Sequence, residues 1–255
     1  MESFGKPSVK VIGVGEPGSE ALSRLRGCGW DGVDFLKLAE EDKVDLQEVF
    51  RDTDMTIILA DIQNLKDAAV ALAAAECAKG MDVLTVVMTS AGDVPKALAD
   101  AADTVTILPS DEEGSEAGSE AGTADSFAAG VHMILDMLSE RSLVSMSFDD
   151  FRNCLSNVGV TAMASGQAAG KDVIMEAVKK AAALLGENAN LSKAKTMLMH
   201  VIGSGDNIGV FDIGSAGAFL SWQVHPDADI LWAVTEDKSM GDNVVVTLLG
   251  SRFAI

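Results

Sequence analysis

Positive charge is what this sequence most lacks. Lys and Arg together number 19 against 39 Asp and Glu, a formal net charge of −20. DNA, RNA and anionic membranes are bound by neutralising phosphates with clustered cations, so a field of this sign disfavours all three as partners. It works against nucleoside triphosphates too, unless cations or local dipoles intervene. Cysteine is also scarce: Cys28, Cys77 and Cys154 lie far apart, with no CxxC pair. That fits a reducing compartment and argues against a disulfide framework and a structural zinc site. His132, His200 and His225 show no metal-ligand spacing and read as surface or edge positions, and no metal site is expected. No serine sits in a G-x-S-x-G elbow; Gly203-Ser204-Gly205 falls short of one. No apolar leader opens the sequence, and runs such as AAVALAAAECA contain charge or are too short to span a bilayer. The expectation is a soluble, cytoplasmic protein.

What is present is apolar and ordered. The 255 residues are 48% apolar, enough for one large domain or two small ones. In the first half, VKVIGVG, VDFLKL, DMTIILA, VLTVVMT and DTVTILP are continuous apolar runs, as in parallel strands buried on both faces. Helical patterns fall between them at 20–26, 46–51, 65–79 and 95–101. The alternation predicts a doubly wound α/β sheet with ligands at the carboxyl ends of its strands. Residues 110–125, SDEEGSEAGSEAGTAD, are acidic, glycine-rich and repetitive, and predict a mobile loop. A helix follows over 126–139, and FDDFRNCLSNV reads as another. From Gly159 onward the order is βαβαββ: VGVTAMASG, a helix in KDVIMEAVKKAAALLG stopped by Gly186, AKTMLMHVIG, a helix in DIGSAGAFLSWQV, and two closing strands joined by a Met-Gly-Asp turn.

One short motif carries chemistry. Gly13-Val14-Gly15-Glu16-Pro17-Gly18 is a G-x-G-x-x-G after the first strand, the spacing that cradles a pyrophosphate at a helix start. As a dinucleotide fingerprint it would use Glu40 or Glu41 to hold a ribose. Against that reading, Glu16 and Glu20 stand where pyrophosphate charge would go, and the loop holds no Lys or Arg. The glycines also serve as a bare strand-to-helix turn.

The later segments bear on the motif. LSKAKTMLMHVIGSGDNIGVFDIGSA, followed by DADILWAVTEDKSMGDNVVVTLLGSRF with its Gly241-Asp242 pair, resembles the C-terminal subdomain of the FtsZ/tubulin superfamily. SLVSMSFDDFRNCLSNVGVTAMASGQAAGKDVIMEA is similar to its central helix and the strand after it, VLTVVMT and DTVTILPSD to its fourth and fifth strands, and VKVIGVGEPGSEAL to its first phosphate loop. The resemblance runs nearly end to end and in order. It implies a Rossmann-like GTPase-type subdomain over 1–142, a central helix with its preceding loop over 143–158, and a smaller α/β subdomain over 159–255. The nucleotide-site positions it implies are Gly13, Gly15, Gly18, Ser19, Asp61, Lys66, Pro109 and Asp111, with Asp149 and Asp150 as catalytic remnants.

At these positions the sequence departs from the family. Glu16 and Pro17 replace glycines of the first loop, and Glu20 an asparagine; Pro17 removes one N–H donor. A carboxylate ~4 Å from a phosphate costs about 1–4 kcal/mol, depending on the local dielectric. The family's glycine run after the third main strand is here Asp61-Ile62-Gln63-Asn64-Leu65-Lys66, with a side chain at every position. The stretch between these loops is shortened, and Val131 stands where a base-reading asparagine is implied. The acidic catalytic loop reads Ser145-Met146-Ser147-Phe148-Asp149-Asp150. An ordinary acidic first helical turn accounts for that last pair as well.

The favoured expectation is a non-catalytic FtsZ-like protein that assembles with itself or with FtsZ-like subunits through longitudinal faces, with no cofactor. The alternatives are a divergent GTPase using GTP and Mg²⁺ through rebuilt loops, with Lys66 near the phosphates, and a NAD-type enzyme. The sequence stops just after the last strand, so partners that dock on a C-terminal tail are not expected.

Overall fold

In the computed structural model, residues 6–90, 93–109, 123–139, 142–188 and 190–251 are described. The chain divides into two units. Unit 1 comprises Met1–Val131 with Leu155–Val160, and unit 2 comprises His132–Cys154 with Thr161–Ile255.

Unit 1 is built on five parallel strands: β1 (Val9–Val14), β2 (Val33–Leu38), β3 (Met55–Leu59), β4 (Leu84–Ser90) and β5 (Thr104–Leu108). Their order is β2-β1-β3-β4-β5, with Val11 beside Phe35 on one flank and Ile57 on the other. The helices between them are α1 (Gly15–Leu25), α2 (Leu46–Phe50), α3 (Leu65–Gly80) and α4 (Lys96–Ala101), and α5 (Thr123–Leu138) follows β5. Every residue of β3 is buried, as its unbroken apolar run requires of a strand covered on both faces. Ala71, Ala74, Ala75 and Ala78 recur at helical spacing along α3 and pack on Ile12, Ile58, Val87 and Val105. Asp103, buried just before β5, accepts from Thr85 N (2.9 Å) and Asn157 N (3.2 Å). Its carboxylate thereby satisfies two backbone donors that would otherwise be stranded.

Unit 2 carries α6 (Phe148–Leu155, its last residue assigned to unit 1), β6 (Gly159–Ala169, beginning in unit 1), α7 (Val173–Asn188), β7 (Thr196–Gly203), α8 (Val210–Ser221), β8 (Asp229–Glu236) and β9 (Asn243–Ser251). The strand order is β6-β9-β7-β8, with β9 antiparallel to both neighbours and β7 parallel to β8. One face is covered by Ile174, Ala177, Val178, Ala181 and Leu185 of α7 and by Ile213, Ala216 and Leu220 of α8. At Gly166 a β-carbon would overlap Ala177 O and lie 2.6 Å from Ala181 N, so β6 and α7 meet backbone to backbone.

Several expectations are revised. The first helix begins at Gly15 rather than near Glu20, because Pro17 stands in the first helical turn, where its missing N–H has no intrahelical partner to lose. Helix α7 runs through Gly186 to Asn188 instead of stopping there. Residues 123–125 open α5 rather than extending the acidic loop; Asp125 in that first turn is ion-paired with Arg24. The remainder of that loop, residues 110–122, lies outside the described residues. The Met-Gly-Asp turn, with Gly241 at φ +55°, does link β8 to β9 in sequence, but β7 lies between the two in the sheet. Within 148–158 the described helix is α6, eight residues long and in unit 2 apart from Leu155.

Candidate functional site

The glycine motif forms the corner between β1 and α1, and it is packed tight. A β-carbon on Gly13 would lie 2.6 Å from Gly18 C, and one on Gly18 would lie 2.5 Å from Leu59 O and 3.1 Å from Gly13 Cα. These two glycines let β1, β3 and α1 approach at backbone distance. Gly15 differs. Its φ is +68°, and a β-carbon there would overlap the carboxylate of Asp67, with Cγ 2.6 Å and Oδ1 2.9 Å away. In a phosphate-binding turn the second glycine is where backbone and pyrophosphate come close. Here the anion seated at that glycine is a side chain of the chain itself. Burial, with the negative charge of Asp61 adding to it, holds the Asp67 carboxyl above the usual carboxylate range.

The segment after β3 is closed by its own side chains. Asp61 Oδ1 accepts from Gln63 N (3.0 Å), and Asn64 Oδ1 caps α3 by accepting from Lys66 N (3.0 Å). Two amides available to an anion at this helix mouth are thus already engaged. Lys66 Nζ lies 3.0 Å from Glu40 Oε2, both side chains exposed. The lysine expected near phosphate and the glutamate expected at a ribose therefore meet each other; Glu41 is exposed nearby in sequence. Glu20 does not face the corner as an unpaired charge, since its carboxylate sits 2.8 Å from Arg24. Glu16 is exposed in the first turn of α1. Ser19 lies on the same helix, where its carbonyl accepts from Ser23 Oγ. The Pro109 carbonyl, past β5, accepts from Ser126 Oγ (3.2 Å). Val131 is fully buried in α5, and Asp111 lies outside the described residues.

Asp149 and Asp150 belong to unit 2, whereas the glycine corner belongs to unit 1. Both are exposed in the first turn of α6. Ser147 Oγ donates to Asp150 Oδ2 (2.6 Å) and accepts from Asp150 N (3.1 Å), which ties this pair into the helix cap.

Sequence reasoning missed two residues. Asp67 reads as an ordinary first-turn acid of α3, and only the tertiary fold carries it onto Gly15. His200, expected at a surface or edge, is buried in β7. Its Nε2 lies 2.8 Å from Thr235 Oγ1, which lies 2.8 Å from Ser142 Oγ, which donates to the Asp136 carbonyl (2.6 Å). Since each hydroxyl has one proton to give, this chain is satisfied with His200 protonated on Nε2 and bare on Nδ1. Nδ1 is buried and has no partner. Desolvation is the main reason that the His200 pKa falls to about 4; Asp136 opposes the shift and His132 adds to it.

Residues 159–253 match the C-terminal domain of the FtsZ family. The chain superposes on FtsZ of M. jannaschii, solved as an empty dimer, with a TM-score of 0.85, 18% identity, and coverage of 98% of this chain and 89% of that one. Residues 159–253 thus match an FtsZ C-terminal domain, and the chain as a whole has an FtsZ-like fold. Other solved structures are similar over most of the chain. The GTPγS-bound protofilament of CetZ2 from Haloferax volcanii matches with a TM-score of 0.70 and 15% identity, covering 95% of this chain and 92% of that one. CetZ from Methanosaeta thermophila matches at 0.69 and 14%, covering 97% and 87%. Among the described residues, no helix is long and apolar enough to cross a membrane.

Proposed function

We propose that the chain is an FtsZ-type assembly protein that neither hydrolyses GTP nor binds it tightly, and that it associates with itself or with FtsZ-like subunits through longitudinal faces. The carrying observation is the Asp67 carboxylate over Gly15. An incoming phosphate must displace that carboxylate or lie against it, near Asp61, with Lys66 already paired to Glu40. The amides of Gln63 and Lys66, engaged by Asp61 and Asn64, lend the same support. So does the capping of α6 by Ser147 and Asp150, which occupies an aspartate the superfamily resemblance would give to water activation. That an FtsZ has been solved as an empty dimer is consistent with pairing that needs no nucleotide.

The test is direct. Purified protein is heat-denatured and the released small molecules are chromatographed; no guanine nucleotide is expected, and no thermal shift with GTP and Mg²⁺. Stoichiometric GTP, or Mg²⁺-dependent phosphate release, overturns the reading in favour of a GTPase with rebuilt loops. Analytical sedimentation addresses assembly, and a lone monomer at every concentration, with or without an FtsZ-like partner, counts against it. The variant Asp67→Ala locates the block. It is expected to gain a thermal shift with millimolar inorganic phosphate where the wild type shows none, because the glycine corner is then open to an outside anion. Its affinity for GTP stays weak, since the second loop still offers no glycine backbone.

A further inference from the structure

The segment that leads from α5 into α6 is held down at three points, all of them within unit 2. Val144 pairs in both directions with Val234 of β8, donating at 3.3 Å and accepting at 3.0 Å. Because β8 is the last strand in the sheet order, this bridge lies on the sheet's outer edge. Met146 N donates to the Met137 carbonyl (2.8 Å) near the end of α5. Ser142 Oγ makes the third point, set between the Asp136 carbonyl and Thr235 Oγ1. Little apolar burial backs these contacts, since Leu143 is 58% exposed and Val144 39%. A surface segment held by a few hydrogen bonds opens for much less than the cost of global unfolding.

The third point ties the segment to the interior. Thr235 has given its proton to Ser142, so it accepts from Nε2 of His200, which stands on β7, one strand in from the edge and 1% exposed. A second proton on the ring would go to Nδ1, which is buried without a partner. The charged groups that act on the ring are Asp136 and His132, both on α5. Asp136 favours a cation, but His132 opposes it and lies 3.8 Å from the same carboxylate. The neighbouring positions on β8 and β9 are Thr235 and Thr247, hydroxyls without charge, and Thr247 is engaged with Ser165 (2.8 Å). The closed arrangement therefore holds the ring neutral. Lifting Ser142 off Thr235 admits water from the sheet edge nearest the ring, and a hydrated imidazole takes up a proton as an ordinary histidine does. We propose that residues 142–147 form a proton-sensitive strap, closed over a neutral His200 and released when the ring becomes a cation. Release uncovers the outer edge of β8 at Val234 and frees the segment that leads into Asp149 and Asp150 of α6. The strap is separate from the glycine corner, and the proposal stands whether or not the chain binds nucleotide.

Amide hydrogen exchange of the full-length protein, followed residue by residue against pH, tests this. Exchange is catalysed by hydroxide, so an amide whose opening ignores pH slows about ten-fold for each pH unit lost. From pH 6.5 down to about 4, opening of the strap gains about that same factor from protonation of the ring. The amides of Val144, Met146 and Val234 are therefore expected to exchange at a nearly constant rate across the window. Those of Arg26 and Ala68, held locally in unit 1, are expected to slow in the ordinary way. His200→Gln keeps a donor toward Thr235 but cannot ionise, and is expected to return the three strap amides to the ordinary slope. Ser142→Ala is expected to speed the exchange of Val144 and Val234 about ten-fold at neutral pH, the worth of one or two hydrogen bonds, and to leave Arg26 and Ala68 unchanged. Strap amides that slow like Arg26 and Ala68 in the wild type overturn the proposal. So do strap amides as protected as the β7–β9 ladder, because the segment then opens only when the whole unit does. No response of Val144 to Ser142→Ala also overturns it, and this variant and the wild-type profile decide the matter if His200→Gln does not fold.

Discussion

Replacing Gly18 with alanine is expected to destabilise the protein by about 3 kcal/mol or more, the upper end of overpacking costs. The added methyl would lie 2.5 Å from Leu59 O and 3.1 Å from Gly13 Cα, and both are backbone atoms that no side-chain rotation can move aside. Gly13→Ala meets the same corner from the other side, 2.6 Å from Gly18 C. Either change must push α1 off β1 and β3, and therefore out of the core of unit 1. Denaturant unfolding measures this as a lower midpoint at an unchanged slope. Gly217→Ala on α8 is the control: a methyl there meets nothing within 4 Å, and the alanine is expected to stabilise by up to about 1 kcal/mol through helix propensity. If Gly18→Ala unfolds like the wild type, the glycines do not serve packing, and a ligand-binding role for them regains force.

Acidification is expected to produce the second large effect, through His200. Its folded pKa is about 4 against an ordinary 6.5. At pH 7 both folded and unfolded states hold a neutral imidazole, so the residue costs nothing there. Below pH 6.5 the unfolded chain takes up a proton that the folded protein refuses until about pH 4. Stability falls through that window by up to about 3 kcal/mol, since each pH unit between the two values costs about 1.4 kcal/mol, and it levels below the window. The groups facing the ring are Thr235 on β8, Thr247 opposite on β9, Ser142, and Asp136 and His132 on α5. Of these only Asp136 favours the cation. The buried Nδ1 has no acceptor for the proton it would carry. The measurement is the pH dependence of unfolding in wild type and His200→Gln, since the difference removes the carboxylates that titrate in the same range. Glutamine keeps an amide donor toward Thr235 and cannot ionise, so its profile should be flatter between pH 6.5 and 4. Parallel profiles would mean that His200 is charged or solvated in the folded state.

Much of the fold is readable in the sequence because each element obeys a local rule. Continuous apolar runs mark the buried parallel strands β1, β3, β4 and β5, whereas the edge strand β2 buries only Leu38, and G-x-G-x-x-G marks a strand-to-helix corner. The start of α1 is hidden because Glu16 and Pro17 look like breakers until they are seen as first-turn residues. Gly186 reads as a stop, although helix interiors tolerate a glycine at a cost of about 1 kcal/mol. The site is less legible. The missing glycines after β3 are plain in the sequence. The carboxylate that occupies Gly15 is not, because Asp67 reaches it from another helix through tertiary packing. The burial of His200 does have a sequence signal: it interrupts TMLMHVIG, an otherwise unbroken apolar run of the kind expected for an interior strand. In Ser147 and Asp150, by contrast, the serine and the acid three residues later already have the form of a capping box.

The position of β9 has a consequence for synthesis. Strands β1 to β5 are followed in the chain by more than a hundred residues, so their sheet can close while the ribosome is still at work. In unit 2 the last strand in chain order, β9, fills the gap between β6 and β7, and until residues 243–251 emerge those two strands have no neighbour to join them. Pairings of such long sequence separation form slowly. A nascent chain halted at Asp242 should therefore expose the edges of β6 and β7, and it is at that stage that a chaperone would find the most to hold.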